Sequence, residues 1–321
     1  MVANPGYTSA GLNISGQFGM PLYGIQGTLP PFSGNSFWVD EASGSDGNTG
    51  GPQDPFATLT QALSKCTSNN NDVVYLIGTV HVTATVAWNK SRTHLIGLAP
   101  NLKSEARARI SQTGTTVFTP LVNVTGAECI FRNIGAFHGF VDLTNQICWA
   151  EAGQRNEYTN CAFLGMGNAT GGASQTGSRS LTVGASGQGE NTFTDCVIGL
   201  DTITRSAANA SLELLAGTPR NVFLRCVFPA LTSSGSALMV TVGASGMDRW
   251  CLFDNCTFVN CVDSTGTAMT VAFTVNASAG GSVILRECAS VGSTVYATTG
   301  PIYVQGSVPT GATSGLAVHA T

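Results

Sequence analysis

The carboxylates Asp195 and Glu287 hold equivalent places in a recurring pattern, each one residue before a cysteine. Arg225 and Asn255 hold the same place between them. The cysteines that follow, Cys196, Cys226, Cys256 and Cys288, advance by about 30 residues each time. Acids brought together on neighbouring coils of a stacked fold could cleave a glycosidic bond. Retaining cleavage needs two carboxyls about 5–5.5 Å apart, and inverting cleavage about 6.5–9.5 Å. Glu157 with Glu190, or Asp195 with Arg225 and Asn255, are the combinations that could do this. The same residues read as a solvated face whose mixed signs pair off with modest effect, and that reading is preferred. Asp40, Asp46 and Asp54 flank a Gly/Asn loop and could hold Ca²⁺, but the strict calcium-loop pattern is missing, and turn formation and helix capping account for all three. His138, in Ala136-Phe-His-Gly-Phe140, reads as a packed histidine. Trp38, Trp88, Trp149 and Trp250 could stack on sugars, yet fall at strand positions that read as inward. With no Cys-x-x-Cys and four scattered histidines, a zinc site is not expected. The expectation is no catalytic residue, no metal and no cofactor.

The elements that place these residues follow from one phrase. It reads Tyr158-x-x-Cys161-x-Phe163, Phe193-x-x-Cys196-x-Ile198, Phe223-x-x-Cys226-x-Phe228 and Phe253-x-x-Cys256-x-Phe258, with a decayed copy at Leu285-x-x-Cys288. Phe131 opens an earlier copy in which Ile134 takes the cysteine place. Before each phrase runs an apolar segment ending in small residues and Gly, such as Val183-Gly-Ala-Ser-Gly187 and Val242-Gly-Ala-Ser-Gly246. Polar and apolar residues alternate within each copy, the period-2 mark of a strand with one buried face. Equivalent strands at one period predict parallel coils stacked about 4.8 Å apart. The expected fold is all-β, a single-stranded right-handed parallel β-helix. Phe131, Tyr158, Cys161, Phe193, Cys196, Phe223, Cys226, Phe253, Cys256 and Cys288 would form its core ladders.

Composition narrows the function classes. Charged residues make up 10% of the 321, and the net charge is −4, so there is no basic footprint for nucleic acid. A surface this poor in charge suits an assembly component better than a free monomer. No run of about 18 apolar residues could span a membrane. Met1-Val-Ala-Asn-Pro-Gly6 shows no secretory signal, so synthesis in a reducing cytoplasm is expected and the ten cysteines read as buried free thiols.

Four regions are expected. Residues 1–35 form an extended arm with apolar anchors at Leu12, Ile14, Phe18, Leu22, Tyr23, Ile25, Leu29 and Phe32. Residues 36–72 supply an opening strand, a loop and a capping helix, with Asp54 as N-cap, Pro55 at the first helical position and Phe56, Leu59, Ala62, Leu63 and Cys66 on one face. Residues 73–304 form the β-helix, and residues 305–321 a tail or terminal cap.

Two resemblances follow. Phe37-Trp-Val-Asp40, Gly44-Ser-Asp-Gly-Asn-Thr-Gly-Gly51 and Pro55-Phe-Ala-Thr-Leu-Thr-Gln-Ala-Leu63 resemble the opening segment of pectate-lyase-like β-helix proteins, a fold that serves lyases, hydrolases and virion proteins alike. Asn89-Lys-Ser-Arg-Thr-His-Leu-Ile-Gly97, Gln154-Arg-Asn-Glu-Tyr158, the stretch from Ile198 to Asn221 and Ala312-Thr-Ser-Gly-Leu-Ala-Val318 look like tailed-phage virion proteins. The second resemblance implies a non-enzymatic, β-helical homotrimer that decorates or cements a phage head. The arm would dock on the major capsid protein; the protein would be made in the host bacterial cytoplasm and located on the virion. A tailspike-type polysaccharide depolymerase, lyase or glycosidase, is the alternative, and a receptor-binding fibre without catalysis a third.

Overall fold

Short alternating segments such as Thr192-Phe193-Thr194 bury one side chain and leave its two neighbours at the surface. Such a strand is stable only when its edges are paired, and here each is paired in parallel with the strands one coil before and one coil after. The computed structural model describes residues 34–98, 108–184, 187–262, 268–297 and 299–305. The anchors proposed for the arm, and the tail beyond Gln305, lie outside these residues.

The chain is a right-handed parallel β-helix with three faces. The first face begins with Ser36–Asp40, Asp72–Ile77 and Thr93–Gly97 and continues through Ile130–Arg132, Glu157–Thr159 and Thr192–Thr194 to Gly280–Arg286 and Ile302–Gln305. The second runs from Thr79–Val82 through Ala162–Leu164 and Val227–Thr232 to Ala289–Val291. The third runs from Val86–Trp88 through Ile147–Glu151 and Arg179–Val183 to Phe273–Val275. The strands Ala210–Leu224 and Leu238–Asp254 each pass from the third face around a corner onto the first, with register shifts at the corner.

Inside, Phe131, Tyr158, Phe193, Phe223 and Phe253 stack ring on ring, with centroids 4.6–4.8 Å apart and planes within 9° of parallel. This spacing is that of adjacent strands, so the backbone dictates the ring contact. The thiols of Cys161, Cys226, Cys256 and Cys288 each point to the carbonyl of the aromatic residue one coil earlier, at 3.3–3.4 Å, and Cys196 does so at 3.6 Å. Cys161, Cys196, Cys226 and Cys256 are buried free thiols, and Cys288 is half-buried.

The residue before each of these five cysteines, and Asn133 before Ile134 in the earlier copy, is a corner, not part of a strand. Asn133, Asn160, Asp195, Arg225, Asn255 and Glu287 all have left-handed backbone, with φ between 49° and 56°. One such residue turns the chain from the first face to the second. The capping helix, α1 (Leu59–Lys65), also starts later than the sequence suggests. Its N-cap is Thr58, whose hydroxyl accepts from the Gln61 amide at 3.2 Å. Asp54 instead accepts from the amide and hydroxyl of Thr49 at 2.9 and 3.1 Å, and Phe56 is held in a parallel bridge with Val39. Phe56, Leu59, Ala62, Leu63 and Cys66 are buried over the first coil.

Candidate functional site

Of the acids singled out in the sequence, Glu157, Glu190 and Asp195 are taken up in ion pairs, as is Asp254. Glu157 lies on the first face and accepts from Arg132 at 2.6 Å. Glu190 sits at the corner between the third and first faces, held by Arg155 at 2.8 Å and by Arg220. The Arg220 and Arg155 contacts keep the Glu190 carboxyl below its usual range. Asp195 receives both Arg225 Nε and Nη2, at 2.9 and 2.8 Å. Asp254 accepts from Arg286 in the same way.

The loop acids have structural work. Asp46 accepts from the amides of Ala57 and Thr58 at 3.1 and 2.9 Å, and Asp40 from Ala42 N and Ser43 Oγ. Among the described residues, no three His, Cys, Asp or Glu side chains cluster as a metal site would require. His138 is buried between Phe118 and Phe140, with Nε2 3.0 Å from the Phe118 carbonyl. Burial lowers its pKa to about 4, so it stays neutral at ordinary pH. Trp88 and Trp149 lie in the core. Trp38 does not: it points outward beside Tyr75, at 4.7 Å between rings, in a separate apolar cluster. Trp250 is half-buried one residue before the inward Cys251.

The chemistry the sequence reading missed lies on the third face. Its outward column runs Ala87, Asn123, Ala150, Thr182, Glu213, Thr241 and Thr274, one residue per coil. Glu213 is the carboxylate in a strip otherwise of hydroxyls, an amide and methyls. Arg179, one coil earlier, donates from Nε to Glu213 at 2.9 Å and from Nη1 to the carbonyls of Thr176 and Ser178 at 2.8 and 2.7 Å. The Arg179 side chain is 12% exposed and that of Glu213 is 28% exposed. The pair is therefore held by backbone carbonyls, with Arg179 and the neighbouring Thr182 largely covered and Glu213 the more exposed member.

Beside it lies a second guanidinium. Arg205 is fully buried and donates to Asn209 Oδ1 at 2.6 Å, Ser211 Oγ at 3.1 Å, and the carbonyls of Asn209 and Leu238 at 2.9 and 2.7 Å. All four partners are neutral. Burial, and then the charge of Arg179, lower its pKa to about 9. Its hydrogen bonds fasten the excursion between the second and third faces, and Asn209 Nδ2 ties that excursion to the Ala173 carbonyl of the preceding one at 2.8 Å. Arg179, Arg205 and Glu213 stand outside the repeated phrase, in the variable excursion and the strands beside it. The signal in the sequence was a pair of arginines at strand ends, Arg179 opening Arg179–Val183 and Arg205 closing Leu200–Arg205.

No protein-family model and no curated protein matches the chain. Solved structures do match. A pectate lyase shares 13% identity at a TM-score of 0.56, covering 88% of this chain and 78% of that one. A rhamnogalacturonan lyase shares 15% at 0.53, covering 82% and 69%. The pectin methylesterase of Aspergillus niger shares 15% at 0.52, covering 90% and 89%. At these identities the likeness establishes the fold. The expectation of a non-enzymatic protein is corrected here, because each named match is an enzyme. The pectate-lyase-like resemblance in the opening segment is therefore the one that solved structures support, as a parallel β-helix.

Proposed function

We propose that the chain is a polysaccharide depolymerase of the tailspike type, acting on the outer surface of the third face and cleaving an acidic glycan by elimination. The observation that carries this reading is the Arg179–Glu213 pair in a strip of hydroxyls, next to the neutrally partnered Arg205. Two guanidiniums against one carboxylate leave a local positive excess suited to a sugar carboxylate. Arg179 would neutralise the charge that grows on that carboxylate as Glu213 takes the neighbouring ring proton; the electron pair left behind forms the ring double bond as the glycosidic C–O bond on the next carbon breaks, and the departing oxygen takes a proton from Glu213 or from water. Two-carboxyl hydrolysis fits less well, since the column neighbours of Glu213 are Thr182 and Thr241. The lyases and esterases among the fold matches support the class of substrate. The virion setting, with the major capsid protein as partner, stays within the proposal as the place from which such an enzyme meets a bacterial surface.

The test is incubation with a panel of acidic bacterial surface polysaccharides, followed by ultraviolet detection of unsaturated ends. Wild-type protein should release them, and Arg179→Ala and Glu213→Gln should each reduce release at least tenfold, about 1.4 kcal/mol of barrier, with unchanged circular dichroism. Reducing ends without unsaturation would mean hydrolysis. Release by both variants at the wild-type rate would remove the site from this face.

A further inference from the structure

The outer surface of the first face is covered at its first coils. Trp38, Tyr75, Ile96 and Arg132 form one outward column in register, with Val73 and His94 paired beside it. Trp38, Val73, Tyr75, His94 and Ile96 are at most 8% exposed. Yet the core lies on the other side of their strands, where Val39, Val74, Leu76 and Leu95 point. Among the described residues, the partly buried apolar side chains packed on this cluster are Ile77 and Leu98. Both lie at the exit ends of their strands, whereas Val73 and His94 lie at the entry ends. Two polar atoms there also want a partner. His94 Nδ1 accepts from the Ile130 amide at 3.1 Å, which places the ring proton on Nε2. That nitrogen is buried without a hydrogen bond, and so is Arg132 Nε. Both are donors that need an acceptor. Burial, and then the charge of Arg132, lower the His94 pKa to about 4, and Arg132 is already paired with Glu157. The acceptors that fit are therefore neutral.

We propose that the occupant of this surface is the chain's own segment Leu29-Pro30-Pro31-Phe32, laid across Trp38, Tyr75 and Ile96 with backbone carbonyls turned toward His94 and Arg132. The segment leads directly to the cluster. Asp72 accepts from the Asn35 amide at 2.6 Å, and the Asn35 carbonyl accepts from the Val73 amide at 2.8 Å. Two successive prolines favour polyproline II, with three residues per turn and no internal hydrogen bonds. Leu29 and Phe32 then fall on one side, and the carbonyls stay free as acceptors. Aromatic-lined surfaces are where such segments dock, and the Trp38 and Tyr75 rings lie 4.7 Å apart. From Trp38 to Arg132 is three strand spacings, about 14 Å, a span of four or five residues at about 3.1 Å each. Residues 1–33 contain no Asp, Glu, Lys, Arg or His, which suits a surface whose charges are already paired. The segment 99–107 carries Lys103, Glu105 and Arg107, which would lose their water there. This inference is independent of the reaction proposed for the third face.

Photochemical cross-linking tests it on the full chain. With Tyr75 replaced by p-benzoylphenylalanine, irradiation should join that position to a peptide containing residues 29–32. An equal mixture of light and heavy-isotope chains should give products within one label only. Capture of residues 99–107 instead, capture across labels, or no capture of residues 29–32 overturns the proposal. A second variant reads the same contact without altering the β-helix. Phe32→Asp should at least double the acrylamide quenching of tryptophan emission, and the difference should vanish in a Trp38→Phe background. Equal quenching of wild type and Phe32→Asp overturns the proposal as well.

Discussion

Tyr158 donates its phenol proton to Glu151 inside the coil, and Asn156 Nδ2 and the Gly153 amide donate to the same carboxyl at 3.0 and 2.7 Å. Burial outweighs these three donors and pushes the Glu151 pKa from 4.5 up to about 7. In the unfolded chain the carboxyl loses its proton near 4.5, while in the folded chain it keeps it until about 7. Its contribution is therefore full at low pH, falls as pH rises through that window, and is flat above it. Melting followed across this range should show a loss of roughly 3 kcal/mol that Glu151→Gln abolishes. If the slope is the same in both proteins, the carboxyl is not the group responsible. The stacked rings allow a simpler prediction. Phe193 lies 4.6 Å from both Tyr158 and Phe223, so Phe193→Ala should cost about 3–5 kcal/mol, read as a lower denaturation midpoint with little change in slope.

The corners are the elements that turn a strand into a coil. Arg92, Glu128, Arg155, Glu190 and Arg220, at successive coils, all adopt left-handed backbone between the third and first faces, with φ of 49–61°. Their signs alternate, and each carboxylate bonds to the arginines on either side. Directly after the last three come Asn156, Asn191 and Asn221, which are buried. The Asn156 amide donates to Asn191 Oδ1 at 2.9 Å, and the Asn191 amide to Asn221 Oδ1 at 3.1 Å. Glu190→Lys would set three cations in a row. Its melting temperature should fall at low salt, and the deficit should shrink as ionic strength rises; a salt-independent deficit would point to packing instead. At the other corner, Asn255 has φ 54°. Asn255→Val should cost about 1–2 kcal/mol through the left-handed backbone, whereas Asn255→Gly should be close to neutral. Equal losses in both would mean that the side chain matters more than the turn.

At the scale of the molecule, the three faces divide the work. The interior is shared, α1 covers one end, and each outer surface is free to carry a different residue set without disturbing the next. The Arg179–Glu213 pair stands on the third face and the Trp38–Tyr75–Ile96 cluster on the first. Sites that share no partners act nearly additively. Arg179→Ala should therefore leave the tryptophan quenching unchanged, and Phe32→Asp should keep its product yield per chain. A change of both properties in either variant would mean that the faces are coupled.

The phrase Phe-x-x-Cys and its period made the coil, the inward ladder and the parallel stacking legible, because one repeat length and a period of two leave few ways to bury the same side chains. The charged-residue-Asn dipeptides Arg155-Asn156, Glu190-Asn191 and Arg220-Asn221 were also present in the sequence as a second repeat. Their meaning depends on a corner conformation that no alternation pattern announces. Trp38 and Trp250 read as core because aromatic residues in strands usually are; only the registered pairing shows which face each one takes. The separation of Arg179 from Glu213 along the chain hid their contact. A carboxylate and a guanidinium more than thirty residues apart meet because successive coils place distant segments one strand spacing apart, and that juxtaposition exists only in the folded rod.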